Sequence, residues 1–431
     1  MSEELTGNPE EGRDTNEIKG AYFASGSAAT HARGVLYQGD YQNEADGTGI
    51  AIRLHARALA NTGIPVLLKP FSGLIMTGKG LYEPMHLAGI SDAVRTEVGD
   101  LTNTSVGALY PVIRHFVVHK AEDISRRVMR GATGGLDDPE MLMKLRKAAY
   151  SASVLYSVWE RDRVDDQTVR EMNRMGDNWV PCEQNAEMLR RCGVDRVCVI
   201  PHPFDPLGSL PKLVRRKPIK SKRFYYIGRW EPRKNPVGIL WAFVSAFNPG
   251  DNAHLTMKFH GAWEHYPSFE QTLEQISEAY PKWTREVLYQ HVTPIEGHLR
   301  PDQILKLHFE NNIYLAPSSG EAWCLPAFEA KVAGNMVIHT PYGGTADFCD
   351  DSDYALSFKM KEVPLSYGWP MGSKWAEPSM DELTLFMKAC APPEQFERRI
   401  AHRFSLPAVG EQMQARLAKM FGSEPAGGHL L

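Results

Sequence analysis

The sequence predicts an α/β protein built on doubly wound parallel sheets, and three observations lead to this prediction. From about residue 33, short β-rich runs alternate with helical segments. The order strand, turn, helix opens each half of the chain, first at residue 34 and again at residue 223. The length of 431 residues suggests two or three domains at roughly 150 residues each. Two similar Rossmann-like halves therefore fit the chain best.

In the first half, the strand GVLYQGDYQ (34–42) leads through the turn DGTG into a helix at 50–63. Later elements are predicted from buried-looking apolar runs and their turns: strands at 64–71, 111–120 and 151–160, a strand and a helix within 178–194, and a strand in RVCVIPHPFDP (196–206). The last strand runs into a Pro-rich exit. This exit is the clearest domain boundary in the sequence.

The second half begins with the strand RFYYIGRW (223–230), the turn EPRKNP and a helix at 237–247. It continues with predicted strands at 254–261, 311–317 and 335–341, helices at 266–280, 301–309 and 325–333, and terminal helical segments at 392–404 and 406–421. The predicted organisation is a polar tail at 1–32, a domain at 33–205, a basic linker at 206–223, a second domain at 224–395 and C-terminal helices at 396–431.

Composition narrows the class of protein. The net charge of -4 gives no global attraction to nucleic acid or anionic lipid. Six cysteines without a C-x-x-C pair indicate neither a zinc site nor a disulfide framework. The acidic, polar N-terminus lacks the basic start and apolar run of a signal peptide, so a reducing cytoplasm is expected. No apolar run is long enough for a membrane span, which leaves a peripheral association with the membrane open.

One local charge run stands out against this background. Residues 212–223, KLVRRKPIKSKR, contain seven basic residues and no acid. A solvated interdomain linker explains them, and the alternatives are contact with anionic lipid head groups or with a nucleic-acid acceptor. The run has no interleaved aromatic residues, so base stacking is not indicated.

The turn DGTG places Gly47 and Gly49 directly between a strand and a helix. Glycine there lets a phosphate approach the helix N-terminus, where free N–H groups favour negative charge. The dinucleotide pattern is incomplete, because its third glycine is missing and KPFSGL supplies no acid for a ribose. An NAD-dependent oxidoreductase therefore ranks low among the alternatives.

The second half offers a stronger combination in GRWEPRK. Arg229 follows a strand and Lys234 precedes a helix, so both cations lie beyond the carboxyl end of a strand. Ligands of open α/β sheets bind at that edge, which makes the two residues a candidate clamp for a diphosphate. The alternative is a pair of solvated charges in a surface turn.

Two acids follow in GEAWCLPAFEA (320–330). A helix beginning near Leu325 puts Glu321 in the preceding loop and Glu329 one turn inside the helix, and Pro326 is tolerated in that first turn. Two interpretations of these acids are open. In the first, one acid caps the helix and the other lies on the protein surface. In the second, both face one crevice, where each carboxylate accepts hydrogen bonds from a vicinal diol. Two cations for a diphosphate and two acids for two diols together indicate a nucleotide-sugar.

The segments GRWEPRKNP and EGHLRPDQILKLHFENNIYLAPSSGEAWCLPAFEAKVAGNMVIHTPYGGTADF resemble the retaining glycosyltransferases of the family 4 (group 1) type. These enzymes have the GT-B fold, two Rossmann-like domains whose parallel sheets face a central cleft. The family's Glu-x7-Glu motif corresponds to Glu321 and Glu329, and its Arg and Lys pair to Arg229 and Lys234. The two glycines of its late loop correspond to Gly343–Gly344, and the resemblance spans roughly residues 34 to 420.

The resemblance implies a role for each matching residue. Arg229 and Lys234 would neutralise the donor diphosphate, and Glu329 would hold the ribose. Glu321 and the backbone that follows it would hold the transferred sugar. The further donor contacts that it implies are Ala322, Trp323, Cys324, Leu325, Gly47, Gly49, Gly228, His298 and Leu299. The C-terminal helices would pack back on the first domain.

On the acceptor side, the resemblance implies that His119 faces the sugar, although a core or surface histidine is the alternative. Trp159 and Glu160 lie at another predicted strand end facing the cleft, where they would touch acceptor or donor. Retention is expected through front-face departure and attack, with a donor phosphate oxygen taking the acceptor proton. No metal or other cofactor is expected, and the D-x-D triplet 351–353 is interpreted as structural.

The predicted function is transfer of a sugar from a nucleotide-sugar to an unidentified acceptor, which could be a glycan, a lipid-linked molecule, a protein or a nucleic acid. The alternatives are a nucleotide-sugar epimerase or a sugar phosphorylase of the same fold, or a catalytically inactive sugar-binding protein. The sequence departs from the family at IPHPFDP, where IPNGVDP is commoner, and at GTG, where adjacent glycines are usual.

Overall fold

The computed structural model describes residues 34–42, 47–71, 74–76, 82–84, 97–98, 101, 109–129, 139–205, 219–392 and 400–421. The predicted tail at 1–32 and most of the predicted basic linker, residues 206–218, lie outside the described residues. We refer to residues 34–205 as the first lobe and to residues 219–392 as the second lobe.

The first lobe contains a six-stranded parallel sheet of strand order β2-β1-β5-β6-β7-β8. Its elements are β1 (Gly34–Gln38), α1 (Gly47–Ala60), β2 (Val66–Lys69), β3 (Leu74–Met76), β4 (Tyr82–Pro84), β5 (Leu109–His115), α2 (Ala121–Met129), α3 (Pro139–Ser151), β6 (Ser153–Tyr156), α4 (Asp166–Arg174), β7 (Asp177–Val180), α5 (Glu183–Arg191) and β8 (Val197–Val199). The short strands β3 and β4 pair with each other outside this sheet.

The second lobe contains another six-stranded parallel sheet, of strand order β11-β10-β9-β12-β13-β14. Its elements are β9 (Lys222–Arg229), α6 (Pro236–Ala246), β10 (Ala253–His260), α7 (Phe269–Ala279), α8 (Arg285–His291), β11 (Val292–Glu296), α9 (Pro301–Glu310), β12 (Ile313–Ala316), α10 (Leu325–Val332), β13 (Met336–His339), α11 (Gly344–Phe348), β14 (Tyr354–Ala355), β15 (Phe358–Glu362), β16 (Lys374–Pro378) and α12 (Met380–Ala389). The last described helix is α13 (Leu406–Phe421). The predicted α/β class with two parallel sheets is confirmed.

Several boundaries differ from the prediction. The strand predicted at 111–120 ends at His115, because the amides of His119 and Lys120 both donate to Asp123 Oδ2, each at 3.1 Å, and so lead into α2. The strand predicted at 151–160 covers only β6, since α3 runs through Ser151. The helix predicted at 392–404 lies mainly outside the described residues, and its described end is one 3₁₀ turn.

The antiparallel hairpin of β15 and β16 was not predicted. It follows β14, pairs Phe358 with Pro378 and Glu362 with Lys374, and carries the connecting loop 363–373 at its tip. Among the described residues, none of the helices combines the length and the apolarity that crossing a bilayer requires.

The last described helix, α13, packs on the first lobe. Val409, Met413 and Leu417 belong to the same apolar core as the strands β1, β2 and β5. The close approach of α13 to α1 depends on Gly410, where a Cβ atom would lie 2.1 Å from the carbonyl oxygen of Ala58. Residues beyond the second sheet therefore complete the core of the first.

A buried group of histidine and aromatic rings joins the two lobes. His55 lies 5.5 Å from His115 and 5.1 Å from His202 between ring centroids, and His202 lies 5.5 Å from Trp323 of the second lobe. All four rings are buried. His115 shares a 2.9 Å hydrogen bond with the hydroxyl of Tyr37. The His202 of the unusual IPHPFDP segment is thus a packing residue of this seam.

Desolvation keeps these histidines neutral. Burial lowers the pKa of His55 to about 4, although hydrogen bonds to the carbonyls of Ala51 and Pro201 oppose the shift. Burial and the neighbouring histidines lower the pKa values of His115 and His202 well below the usual range. The folded state is therefore poorly suited to take up protons here.

We predict that the free energy of unfolding falls as the pH is lowered from about 6.5 towards 4. The unfolded chain binds protons at histidine from about pH 6.5 downwards, whereas the folded seam does not, so each buried histidine costs up to about 1.4 kcal/mol per pH unit in that window. The stabilisation is fully present above pH 6.5 and is lost as the pH falls. Urea unfolding at several pH values measures the slope.

The variant His115→Gln should flatten this slope, because one of the titrating groups is gone. The matched control is His265→Gln, which removes a histidine whose side chain is 90% exposed. A slope in His115→Gln equal to that of the wild type would show that the seam histidines do not control the acid sensitivity.

Candidate active site

The first part of the site is the turn after β9. Arg229 ends the strand, a 3₁₀ turn covers Pro232–Lys234, and Asn235 adopts a left-handed conformation with φ of 55° before α6 begins. The ammonium group of Lys234 donates to Glu321 Oε1 in the loop after β12. Two loops at the carboxyl edge of the second sheet are therefore joined by a buried ion pair.

Arg233 is the centre of the site and connects both lobes. Its guanidinium donates to the carbonyl of Gly320 and to Glu231 Oε1, each at 2.6 Å. The same group lies 3.0 Å from Glu160 Oε1 of the first lobe and 3.7 Å from Glu321 Oε2. Only 7% of the Arg233 side chain is exposed. One buried cation is thus shared by three carboxylates from three segments.

The backbone of Arg233 is equally well anchored. Its N–H donates to the hydroxyl of Tyr367 at 2.9 Å, and its carbonyl accepts from the amide of Ser319 at 2.7 Å. Side chain and backbone together fix the turn 231–235 against the loop that carries Glu321.

Electrostatics give the carboxylates different proton affinities. Burial acts to raise the pKa of Glu321, but Lys234 and Arg233 outweigh it, so the pKa lies below its ordinary value. Burial raises the pKa of Glu160, and the attraction of Arg233 does not fully offset it. Burial would lower the pKa of Arg233, but its carboxylate neighbours raise it above the ordinary value. Arg233 therefore remains charged, and Glu321 is ionised at neutral pH.

Glycine makes the close packing of the Glu321 loop feasible. A Cβ atom on Gly343, which has φ of 90°, would lie 1.6 Å from the carbonyl oxygen of Glu321. A Cβ atom on Gly344 would lie 2.6 Å from Cα of Trp323, and one on Gly320 would lie 2.4 Å from the carbonyl oxygen of Glu160. Gly343 and Gly344 therefore allow close packing against the backbone of the Glu321 loop, and Gly320 allows the first lobe to approach the same loop.

The second acid, Glu329, lies in α10, and its carboxylate is 37% exposed. The Nε2 atom of buried His308 lies 3.3 Å from Glu329 Oε2 and orients it. The helix begins at Leu325 after Cys324, which has a left-handed φ of 69°. Glu329 is thus one turn inside the helix, as predicted from its spacing, and its side chain is accessible to solvent.

The N-terminus of α10 meets the N-terminus of α1 across the seam. A Cβ atom on Gly47 would lie 3.1 Å from Leu325 Cδ1. Gly49 occupies the first turn of α1 and is buried. The positive ends of two helix dipoles therefore approach one another at this point.

Arg229 is exposed, and within the described residues its guanidinium has no carboxylate partner. It pairs in register with His260 at the end of β10, and the ring of His260 lies 5.0 Å from that of His298. Burial, Lys258, His298 and Arg229 lower the pKa of His260 to about 4. A free cation and two histidine rings therefore line the same sheet edge.

The remaining predicted residues lie in different surroundings. His119 is exposed in the loop before α2, beyond the strand to which it was assigned. Trp159 is 2% exposed and packs in the first-lobe core, which disagrees with its predicted position facing the cleft. Ala322 and Trp323 are buried in the Glu321 loop, Leu299 is half-buried against the same core, and Gly228 packs on Tyr226.

The D-x-D triplet has a structural role. Asp353 Oδ2 accepts from the ammonium group of the buried Lys331 at 2.6 Å, and its other oxygen accepts from the amide of Val337 at 2.9 Å. Asp350 also contacts Lys331, at 3.2 Å. In the part of the chain that the structure describes, no group of three or more His, Cys, Asp or Glu residues is arranged to hold a metal ion.

Comparison by sequence finds no family model and no curated protein that matches this chain. Comparison by structure finds HepE from Anabaena in complex with UDP, with a TM-score of 0.52 and 12% identity over 90% of this chain and 100% of that one. A sucrose-phosphate synthase from Thermosynechococcus elongatus has a TM-score of 0.49 and 14% identity over 90% and 99% of the two chains.

TarM from S. aureus, in a complex that includes UDP, has a TM-score of 0.43 and 12% identity over 72% of this chain. The chain spans about half of TarM, 52% of its length. At these sequence identities the comparison shows only the fold. We base the fold assignment on HepE, whose TM-score is above 0.5. The two parallel sheets with their shared seam form a GT-B fold, as the sequence predicted.

Sequence analysis missed Arg233, Glu231 and Gly320. The segment EPRK contained a signal, since an acid two residues before an arginine permits a local ion pair, but the burial of Arg233 depends on Glu160 from the other lobe. The seam histidines were also missed, because their contacts join residues that are far apart in the chain, such as His115 and His202.

We predict that Arg233→Met destabilises the protein by about 3–5 kcal/mol, because it leaves three carboxylates without their shared cation. Adding Glu160→Gln should recover part of this loss, since one uncompensated charge is removed with it. Chemical unfolding of the two single variants and the double variant measures the coupling.

The matched control is Arg285→Met, which removes an exposed arginine paired with Glu270 and should cost no more than about 1 kcal/mol. If the effects of Arg233→Met and Glu160→Gln were simply additive, the two residues would not be coupled in solution.

Proposed function

We propose that this protein is a glycosyltransferase that takes its sugar from a nucleotide-sugar donor. The observation that carries the proposal is the ion pair between Lys234 and Glu321, with Arg229 unpaired at the same sheet edge among the described residues. The pair joins the two segments of the predicted donor site, which are 87 residues apart in the chain. The fold thus supports a single donor site in which the cations and the acids have separate roles.

The proposed diphosphate site uses cations and helix ends. Arg229 and Lys234 neutralise the diphosphate and stabilise it as the leaving group. The free N–H groups at the starts of α1 and α10 favour the same negative charge. The close approach of Gly47 to Leu325 supports a shared position for these two helix ends.

The proposed sugar and ribose sites use the two acids. Glu329 accepts hydrogen bonds from the ribose hydroxyls, and its partner His308 holds the carboxylate in place. Glu321 and the backbone at Ala322, Trp323 and Cys324 hold the hydroxyls of the transferred sugar. When no donor is bound, Lys234 neutralises Glu321, so the arriving diphosphate competes for that ammonium group.

The reaction is proposed to proceed with retention and without a metal ion. The acceptor oxygen forms a bond to the anomeric carbon on the face from which the diphosphate leaves, and a donor phosphate oxygen takes the proton of the acceptor hydroxyl. The bond between the anomeric carbon and the diphosphate breaks, and the nucleoside diphosphate is the leaving group. Charge on the leaving diphosphate is met by Arg229 and Lys234, so the described residues suffice for leaving-group stabilisation.

UDP-sugars are the first donors to test, because HepE binds UDP and one HepE complex also contains glucose. The acceptor remains a hydroxyl compound to be identified among glycans, lipid-linked molecules, proteins and nucleic acids. We propose that the enzyme acts in the cytoplasm, with peripheral association at the membrane.

We predict that Lys234→Ala and Glu321→Gln each lower donor turnover by about 100-fold or more, because each removes a charge aimed at the reacting groups. The measurement is nucleotide release from a panel of nucleotide-sugars, after a thermal-shift screen has identified a donor that stabilises the folded state. The matched controls are Lys306→Ala and Glu310→Gln, which remove an exposed pair on α9.

Turnover that is unchanged in Lys234→Ala and Glu321→Gln would contradict the site assignment. Interconversion of donor sugars without an acceptor would indicate an epimerase. Release of a sugar phosphate from a glycan and inorganic phosphate would indicate a phosphorylase. The anomeric configuration of the product, read by NMR, tests retention separately.

A further inference from the structure

The unpredicted hairpin of β15 and β16 lies beside the candidate site. The hydroxyl of Tyr367 in the loop 363–373 accepts from the Arg233 amide, and the amide of Ala376 donates to the carbonyl of Ser319 at 2.7 Å. On the other side, the Lys374 amide donates to Asp162 Oδ1 at 2.7 Å. The hairpin therefore touches both lobes next to the glutamate cluster.

The middle of the loop is well packed. Tyr367 stacks on Trp263 with ring centroids 4.5 Å apart and contacts Trp375 edge-on at 5.2 Å. Trp369 lies 5.5 Å from Tyr367. These contacts anchor the middle of the loop through its aromatic rings.

The tip of the loop exposes large apolar side chains. Leu365 is 82% exposed and Met371 is 86% exposed, which are the highest values among the exposed large apolar residues in the described part of the chain. Met360, on the same hairpin, is 41% exposed. Residues 363–373 contain no charged side chain. Full burial of each tip residue would contribute roughly 1.5–3 kcal/mol, so the tip favours an apolar partner.

The two strands of the hairpin carry more basic than acidic side chains, three lysines against Glu362 and Glu377. Lys359 and Lys374 are exposed and lie opposite Glu377 and Glu362 in register, but within the described residues neither ammonium group forms an ion pair. Arg163 of the first lobe lies 3.5 Å from the carbonyl of Met371 and is also exposed. Exposed apolar side chains next to an excess of basic residues favour contact with a bilayer that has anionic head groups.

We propose that the loop 363–373 docks onto an anionic membrane surface, with Leu365 and Met371 inserted among the lipid chains and Lys359, Lys374 and Arg163 at the head groups. Two inserted side chains and a few cations give reversible binding. Because the loop contacts Arg233, docking brings the glutamate cluster close to the bilayer. On the basis of the proposed function, the acceptor would then be a hydroxyl group carried by a membrane lipid.

The experiment is co-sedimentation of the full chain with vesicles of phosphatidylcholine alone or of phosphatidylcholine with phosphatidylglycerol. We expect binding to the anionic vesicles, weakened by salt, and at least about tenfold weaker binding for the double variant Leu365→Asp/Met371→Asp. The matched controls are Leu385→Asp and Met143→Asp, which place a charge on residues that are 58% and 67% exposed elsewhere. Both controls should bind as the wild type does.

The proposal fails if the wild type remains in the supernatant with both kinds of vesicle, or if the tip variant sediments as well as the wild type. It also fails if light scattering shows that the tip substitutions break a dimer in the absence of vesicles, since a second copy would then cover the tip. Hydrolysis of a soluble nucleotide-sugar should be unchanged in the tip variant. That readout separates a failure of docking from a failure of the proposed function.

Discussion

The site depends on one buried cation, the guanidinium of Arg233. It holds carboxylates from the first lobe, from the turn after β9 and from the loop after β12, and it also bonds the carbonyl of Gly320. A buried ion of this kind is stable only when its partners surround it closely. Arg233 therefore links Glu160 of the first lobe to the loop of Glu321 and to the turn that carries Lys234.

Close packing also positions the loop that carries Glu321. Gly343 and Gly344 leave room for the backbone of residues 321–323, and Gly320 leaves room for the carbonyl of Glu160. The rings of the seam histidines, which are neutral, pack against one another and against Trp323 between the two lobes. Outside this packed region, Arg229 and Glu329 remain accessible to solvent.

The alternation of strands and helices was sufficient to predict both sheets, because it reflects local periodicity. The location of Lys234 and Glu321 at one sheet edge was anticipated from strand ends, since parallel strands share one carboxyl edge, but the ion pair between them was not. Arg233 could not be separated from its neighbour Lys234 by sequence alone, because its burial requires Glu160. His119 and Trp159 were placed by extending apolar runs as strands, whereas capping by Asp123 and core packing decide their positions.

A crystal structure of the protein with UDP bound would test the site assignment most directly. We expect diphosphate oxygens within about 2.7–3.2 Å of the Arg229 guanidinium and the Lys234 ammonium group, and ribose hydroxyls at Glu329. We also expect Arg233 to keep its bonds to Glu160 and Gly320. A nucleotide bound away from Arg229, Lys234 and Glu329 would show that the assignment is wrong.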